Sequence, residues 1–112
     1  MEMMKNIAYC KAQDLADMVE YSEGKVVSLT LSQNPNMNVT LFAFAKGEGL
    51  STHKSDGDAF VQVLAGKGKF TIDGVEHIVE KGECIVMPAG HPHAVDAVKK
   101  FKMLLTVIFP PE

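Results

Sequence analysis

Histidines are the residues of this sequence best suited to chemistry, and two of the four stand close together after an apolar run. The stretch is Gly82-Glu-Cys-Ile-Val-Met-Pro-Ala-Gly-His-Pro-His93. Apolar residues between turn residues predict a buried strand, and the Pro-Ala-Gly corner at 88–90 predicts its end. His91 and His93 would then emerge where a strand ends at the opening of a barrel. Imidazoles at such a place can bind a metal ion or transfer a proton.

The elements that must position these histidines are short strands separated by turns. The Asp73-Gly74 pair is the strongest hairpin signal in the chain. An acidic opening and apolar residues at helical spacing predict one short helix over 12–20. Strands are predicted at 25–32, 39–46, 50–53, 59–64, 69–72, 75–79, 84–87, 94–98 and 101–109. Many short strands at near-regular spacing predict an all-β sandwich or barrel.

Length and charge limit the classes of function. A chain of 112 residues predicts a single domain, and its net charge of -3 gives no basic surface for nucleic acid. All 11 basic residues are lysines, which disfavours phosphorylated or polyanionic substrates because the bidentate arginine fork is missing. No segment is long enough for a transmembrane helix, and residues 1–6 lack an apolar signal core, so we expect a cytoplasmic protein. Cys84 is expected to be a small buried residue of its strand.

A second pattern of spacing surrounds His93. Gly82, Pro88, Gly90 and His93 match every spacing of the pattern G-x5-P-x-G-x2-H-x3-N, and only the final Asn fails, because Ala97 stands there. In this pattern the chain resembles the small single-domain cupins. The resemblance extends from about residue 39 to residue 109.

The first cupin pattern, G-x5-H-x-H-x3,4-E-x6-G, is matched only in part. Gly47, His53 and Gly66 fit it, whereas its second His falls on Ser55 and its Glu on Ala59. The resemblance implies a jelly-roll β-barrel, a homodimer, and a metal site in which three His and one Glu project into the barrel. We therefore expect residues 1–112 to form one cupin domain, in which 1–38 supply a lead-in, a short helix and a strand.

The departures from the patterns leave two of the cupin metal ligands in place and suggest two candidate replacements for the others. His53 and His93 would hold a divalent transition metal, which could be Zn, Ni, Fe, Mn or Cu. Their alternative role is structural, with hydrogen bonds to each other or to water inside the barrel. His91 is the first candidate for a third ligand, since residues two apart in an extended chain point to the same side. It could equally face solvent or substrate at the mouth of the barrel. Asp58 is a weaker candidate that needs a bulge to aim it inward, and turn formation around Gly57 is its alternative role.

The predicted cavity has few charges. Ser55, Ala59, Val61 and Met87 are expected to line it, and a barrel interior with few charges favours a small neutral organic ligand. The pattern leaves open a metal-dependent enzyme, with His91 as third ligand or general base, and a metal-free module that binds a small ligand. A sugar-type isomerase that uses a histidine base without a metal is a further alternative.

Overall fold

Nine strands and one turn of 3-10 helix form the regular structure of residues 2–111, the part of the chain that the computed structural model describes. The 3-10 helix is Leu15–Met18. The strands are β1 (Val26–Gln33), β2 (Met37–Phe44), β3 (Gly49–His53), β4 (Asp58–Ala65), β5 (Lys67–Ile72), β6 (Val75–Glu80), β7 (Cys84–Met87), β8 (His93–Asp96) and β9 (Phe101–Ile108). Each strand overlaps a segment for which the sequence predicted one.

The strands form two antiparallel sheets that face each other. A five-stranded sheet has the order β1-β2-β9-β4-β7, and a four-stranded sheet has the order β3-β8-β5-β6. Because β3 and β8 are neighbours although they are far apart in the chain, the order includes crossovers between the sheets. The predicted all-β jelly-roll architecture is confirmed.

The hairpin between β5 and β6 turns at Asp73 and Gly74, as predicted. Their φ angles are 51° and 79°. Two left-handed residues in succession are typical of the type I′ turn, whose twist matches that of the two strands. The turn sets the pairing of Ile72 with Val75 and the rest of the ladder down to Lys67 with Glu80.

The main core lies between the two sheets. Aromatic side chains dominate it: Phe44, Phe70 and Phe101 are fully buried, and the Phe44 and Phe101 rings stack with their centroids 4.7 Å apart. Alternate residues of β2 point the other way, so Leu41 and Ala43 belong to a second cluster on the far side of the larger sheet. This strand is buried on both faces, which explains why its apolar run is nearly continuous.

The N-terminal segment, meaning the described residues that precede β1, covers that far side of the larger sheet. Val19 is buried there with Leu31, and partly buried residues of the 3-10 helix pack around them. Asp14 caps the helix by accepting a hydrogen bond from the Ala16 N–H at 3.0 Å. The helix is shorter than the predicted 12–20, because Val19 already has extended geometry, with φ -138°, and lies along the sheet. No helix within residues 2–111 is long and apolar enough to span a membrane.

Cys84 is exposed, so the prediction that it is buried is wrong. It lies on β7, which is an edge strand of the larger sheet. Only one face of this strand is covered: Met87 is buried, whereas Val86 is 54% exposed. An apolar run of four residues therefore did not indicate burial on both faces.

Candidate functional site: a cavity with two histidines

Pairing of β3 with β8 places two histidines side by side. His53 lies directly opposite His93 in the ladder, although 40 positions separate them in the chain. Residues that face each other in antiparallel strands have Cβ atoms about 5 Å apart. The ring centroids are 4.4 Å apart and the planes are inclined by 68°. The two imidazoles therefore share one small region of space.

Backbone carbonyls fix the tautomer of both rings. Nδ1 of His53 lies 2.8 Å from the Ser51 carbonyl oxygen, and Nδ1 of His93 lies 3.1 Å from the His91 carbonyl oxygen. A carbonyl oxygen can only accept, so each Nδ1 must carry the proton and donate it. In a neutral imidazole the other nitrogen, Nε2, then has a free lone pair. A histidine that binds a metal almost always has its second nitrogen anchored in this way.

Burial favours the neutral form of His93. The residue is 3% exposed, and this desolvation lowers the pKa of its imidazole below the ordinary 6.5. The bond to the His91 carbonyl acts in the opposite direction, and the neighbouring His53 lowers the pKa further. The lone pair on Nε2 is consequently available at neutral pH.

The two rings border a cavity of about 70 Å³ between the sheets. Its wall consists of His53, His93, Ser55 and seven apolar side chains. His53 is exposed and His93 is buried, so the cavity opens to solvent on the His53 side. Pockets for drug-sized ligands are typically about 300–1,000 Å³. This one has room for a metal ion with a few waters, or for an organic molecule of a few heavy atoms.

His91 does not line this cavity. Its Nδ1 lies 2.6 Å from Oδ2 of Asp73, and both side chains are about half exposed, at 50% and 49%. His91 lies in a bend before β8 begins, so the alternation of an extended strand does not apply to it. A carboxylate that orients a histidine is typical of general bases, but this pair lies outside the cavity wall.

Asp58 holds the corner of the chain that precedes the histidines. Its Oδ1 accepts a hydrogen bond from the Ala89 N–H at 2.9 Å, and the Gly90 N–H donates to the Ser55 carbonyl oxygen at 2.9 Å. Asp58 is exposed and does not line the cavity. The structure gives it a role in positioning the 88–90 corner, which the sequence did not predict.

Three of the four predicted wall residues line the cavity: Ser55, Ala59 and Met87. Val61 instead lies in the main core and is fully buried. The structure adds five apolar wall residues that were not predicted: Leu50, Val95, Met103, Leu105 and Val107. Alternation along β9 from the buried Phe101 could have identified the last three of these, because residues two apart share a face.

A model of the cupin domain matches residues 40–109. The chain belongs to the cupin family. The cupin barrel therefore accounts for both facing sheets from β2 onward, and it includes His53 and His93.

Several solved structures resemble the chain closely. A conserved protein of unknown function from Streptococcus pyogenes is 40% identical over 100% of this chain and 98% of its own, with a TM-score of 0.97. A cupin superfamily protein from Desulfitobacterium hafniense is 29% identical over 96% of this chain and 98% of its own, with a TM-score of 0.91. A conserved-barrel cupin protein from Leptotrichia buccalis is 52% identical over 83% of this chain but only 45% of its own, with a TM-score of 0.82. A comparison with curated proteins found no match.

The donor set of this cupin fits a metal held by two protein ligands. Within residues 2–111, no group of three or more His, Cys, Asp or Glu side chains could hold a metal ion. Catalytic zinc sites usually have three protein ligands and one open position. Two anchored imidazoles are chemically suitable ligands, whereas the full three-His, one-Glu set of the cupin pattern is not assembled.

Proposed function

We propose that this cupin binds a transition metal ion through Nε2 of His53 and His93 and holds a small neutral organic molecule in the same cavity. The observation that supports the proposal is the anchoring of both Nδ1–H groups on backbone carbonyls, at 2.8 and 3.1 Å. It leaves two free lone pairs on facing rings whose centroids are 4.4 Å apart. Imidazole is a suitable ligand for Zn, Cu, Fe and Ni.

The other residues of the cavity would select the ligand. The seven apolar side chains exclude charged groups, since a charge placed against them would lose its hydration without a partner. Ser55 is the one neutral hydroxyl in the wall, and it can donate to or accept from a small polar group near the mouth. When bound, a metal ion would supply Lewis acidity toward such a group.

His91 and Asp58 take no part in the ligand set that we propose. The ring of His91 is engaged by Asp73, and Asp58 is engaged by the Ala89 N–H. Replacement of His91 by Ala should therefore leave metal affinity unchanged. A clear loss of affinity in this variant would instead restore His91 as the third ligand.

Calorimetric titration of chelator-treated protein, purified without a polyhistidine tag, tests the proposal. We expect saturable one-to-one binding of zinc or nickel, and weaker binding of manganese, which prefers oxygen ligands. His93→Ala should abolish binding. His77→Ala is the matched control, because His77 lies exposed on β6, outside the cavity wall, and should bind as the natural chain does.

Absence of saturable binding to all three metals would contradict the proposal. The alternative that would then replace it is a metal-free module that encloses a small neutral ligand. The specific observation in its favour is the apolar wall, in which only three of the ten lining residues are polar.

A further inference from the structure

We propose that the metal suited to this cavity is monovalent copper, bound by the thioether sulfurs of Met87 and Met103 together with His53 and His93. The inference rests on the proposed function, because it assumes that the two imidazoles are metal ligands. It goes beyond that function by adding two ligands and by naming one oxidation state of one metal. All four side chains line the same cavity of about 70 Å³.

Both methionines reach the cavity from the larger sheet, opposite the histidines. Met87 ends β7 and Met103 lies in β9, whereas His53 and His93 come from the smaller sheet. Met87 is 2% exposed and Met103 is fully buried. The four side chains thus border the space from two sides. Buried methionines often only fill gaps in a core, but these two border a cavity that also presents two imidazole nitrogens.

The uncharged wall of the cavity favours a monovalent ion over a divalent one. None of the residues in its wall is acidic, so a cation that enters it gains no neutralising charge. The Born free energy of moving an ion into a medium of low dielectric grows with the square of the charge. For a divalent ion this cost is about four times that for a monovalent ion of the same radius. A monovalent ion is therefore the better match for this wall.

The softness of the donors points to the same ion. Thioether sulfur selects Cu(I), and imidazole accepts copper readily, whereas Mg²⁺, Ca²⁺ and Mn²⁺ prefer oxygen donors. The serine hydroxyl of Ser55 is the only oxygen-bearing side chain in the wall. Two nitrogens and two sulfurs, all neutral, would keep the bound ion at a single positive charge. Binding of Cu(I) itself involves no change of oxidation state.

Competition under anaerobic conditions tests the proposal. The full-length, chelator-treated protein is titrated with Cu(I) in excess ascorbate against bicinchoninate, which reports free Cu(I) by its colour. We expect one Cu(I) per chain. Met87→Leu and Met103→Leu, which nearly conserve volume, should each lower Cu(I) affinity at least about tenfold, which corresponds to ~1.4 kcal/mol of binding free energy. Zinc affinity should stay unchanged in both, which also shows that the cavity is intact.

X-ray absorption of the Cu(I)-loaded natural chain gives a second measurement that needs no variant. Sulfur scatterers in the first shell are the expected result, and a shell of nitrogen and oxygen alone would overturn the proposal. An unchanged Cu(I) affinity in the two leucine variants would also overturn the copper proposal. If the natural chain binds zinc and His93→Ala does not, the proposed function still stands. If neither zinc nor Cu(I) binds, the proposed function and this inference both fail.

Discussion

His93 is the residue on which the site depends most. It is the buried member of the histidine pair, and its Nδ1–H is held by the carbonyl of His91. Burial in an apolar wall keeps its imidazole neutral, and the same burial makes protonation costly for the fold. Its chemistry and its effect on stability therefore share one cause.

Acid should destabilise the protein through His93. The pKa of the folded imidazole lies below 6.5, the ordinary value that the unfolded chain retains. Above 6.5 both states are neutral and the full stability is present; as the pH falls below 6.5, the unfolded chain binds the proton first and stability is lost until the folded pKa is passed. The urea concentration at the unfolding midpoint should therefore decrease as the pH is lowered from about 7 to about 5.

The slope of that pH dependence identifies the residue responsible. In His93→Gln the fall of the midpoint between neutral and acid pH should be smaller than in the natural chain, whatever the variant's stability at neutral pH. His77→Gln should keep the natural slope, because His77 is exposed. Equal slopes in all three proteins would contradict the assignment to His93.

The pairing of β3 with β8 is the element that creates the site, and it marks the limit of prediction from this sequence. Local turn chemistry identified the Asp73-Gly74 hairpin, because φ above zero at both positions is encoded by those two residues. The register that sets His53 opposite His93 is a non-local pairing, and only the cupin pattern suggested that both rings face one cavity. Strand alternation offered His91 as a third ligand, and the sequence left open that it faces solvent instead; the Pro-Ala-Gly corner puts it in a half-exposed bend next to Asp73.

Gly49 keeps β3 close to β8, so its replacement by Ala should disturb the site. A Cβ atom at this position would collide with the Val95 carbonyl oxygen on β8. The backbone must shift to admit it, and overpacking of this kind costs about 1–3 kcal/mol. We expect chemical denaturation to show this loss and calorimetry to show weaker metal binding. Thr52→Ala, at an exposed position of the same strand, should change neither. A stable Gly49→Ala protein with full metal affinity would contradict this role for the strand contact.

The N-terminal segment and the barrel share the larger sheet. Tyr21 packs against the cluster that includes Leu41, and the Nζ atoms of Lys100 and Lys102 lie 4.8 and 4.9 Å from the centroid of its ring. A segment that covers one face of a sheet is expected to unfold with it. We therefore propose that the N-terminal segment and the barrel form one domain.

Tyrosine fluorescence can test whether the N-terminal segment unfolds together with the barrel. Both tyrosines, Tyr9 and Tyr21, precede β1, and the chain has no tryptophan. Circular dichroism in the far ultraviolet reports the strands instead. The two signals should change together in one cooperative transition as urea is added. A tyrosine transition at clearly lower urea than the strand transition would show that the N-terminal segment is a separate unit.

We also propose a homodimer. Edge strands β6 and β7 present unpaired backbone and exposed apolar side chains: Val75 and Ile78 are each 57% exposed, and Val86 is 54% exposed. Exposed edges of this kind invite pairing with another strand. Light scattering coupled to size exclusion should give twice the mass of the chain. The mass of a single chain over a wide range of concentration would contradict the dimer.

We propose that the imidazoles of His53 and His93, each protonated on Nδ1, offer their free Nε2 atoms to one metal ion. Long-range ¹H–¹⁵N correlation spectra of histidine-labelled protein distinguish the two tautomers of each ring. Before metal is added, His53 and His93 should both show the Nδ1–H form. One equivalent of zinc should shift the Nε2 resonances of these two rings and leave those of His77 and His91 unchanged. An Nε2–H tautomer in either ring, or spectra unchanged by zinc, would contradict the claim.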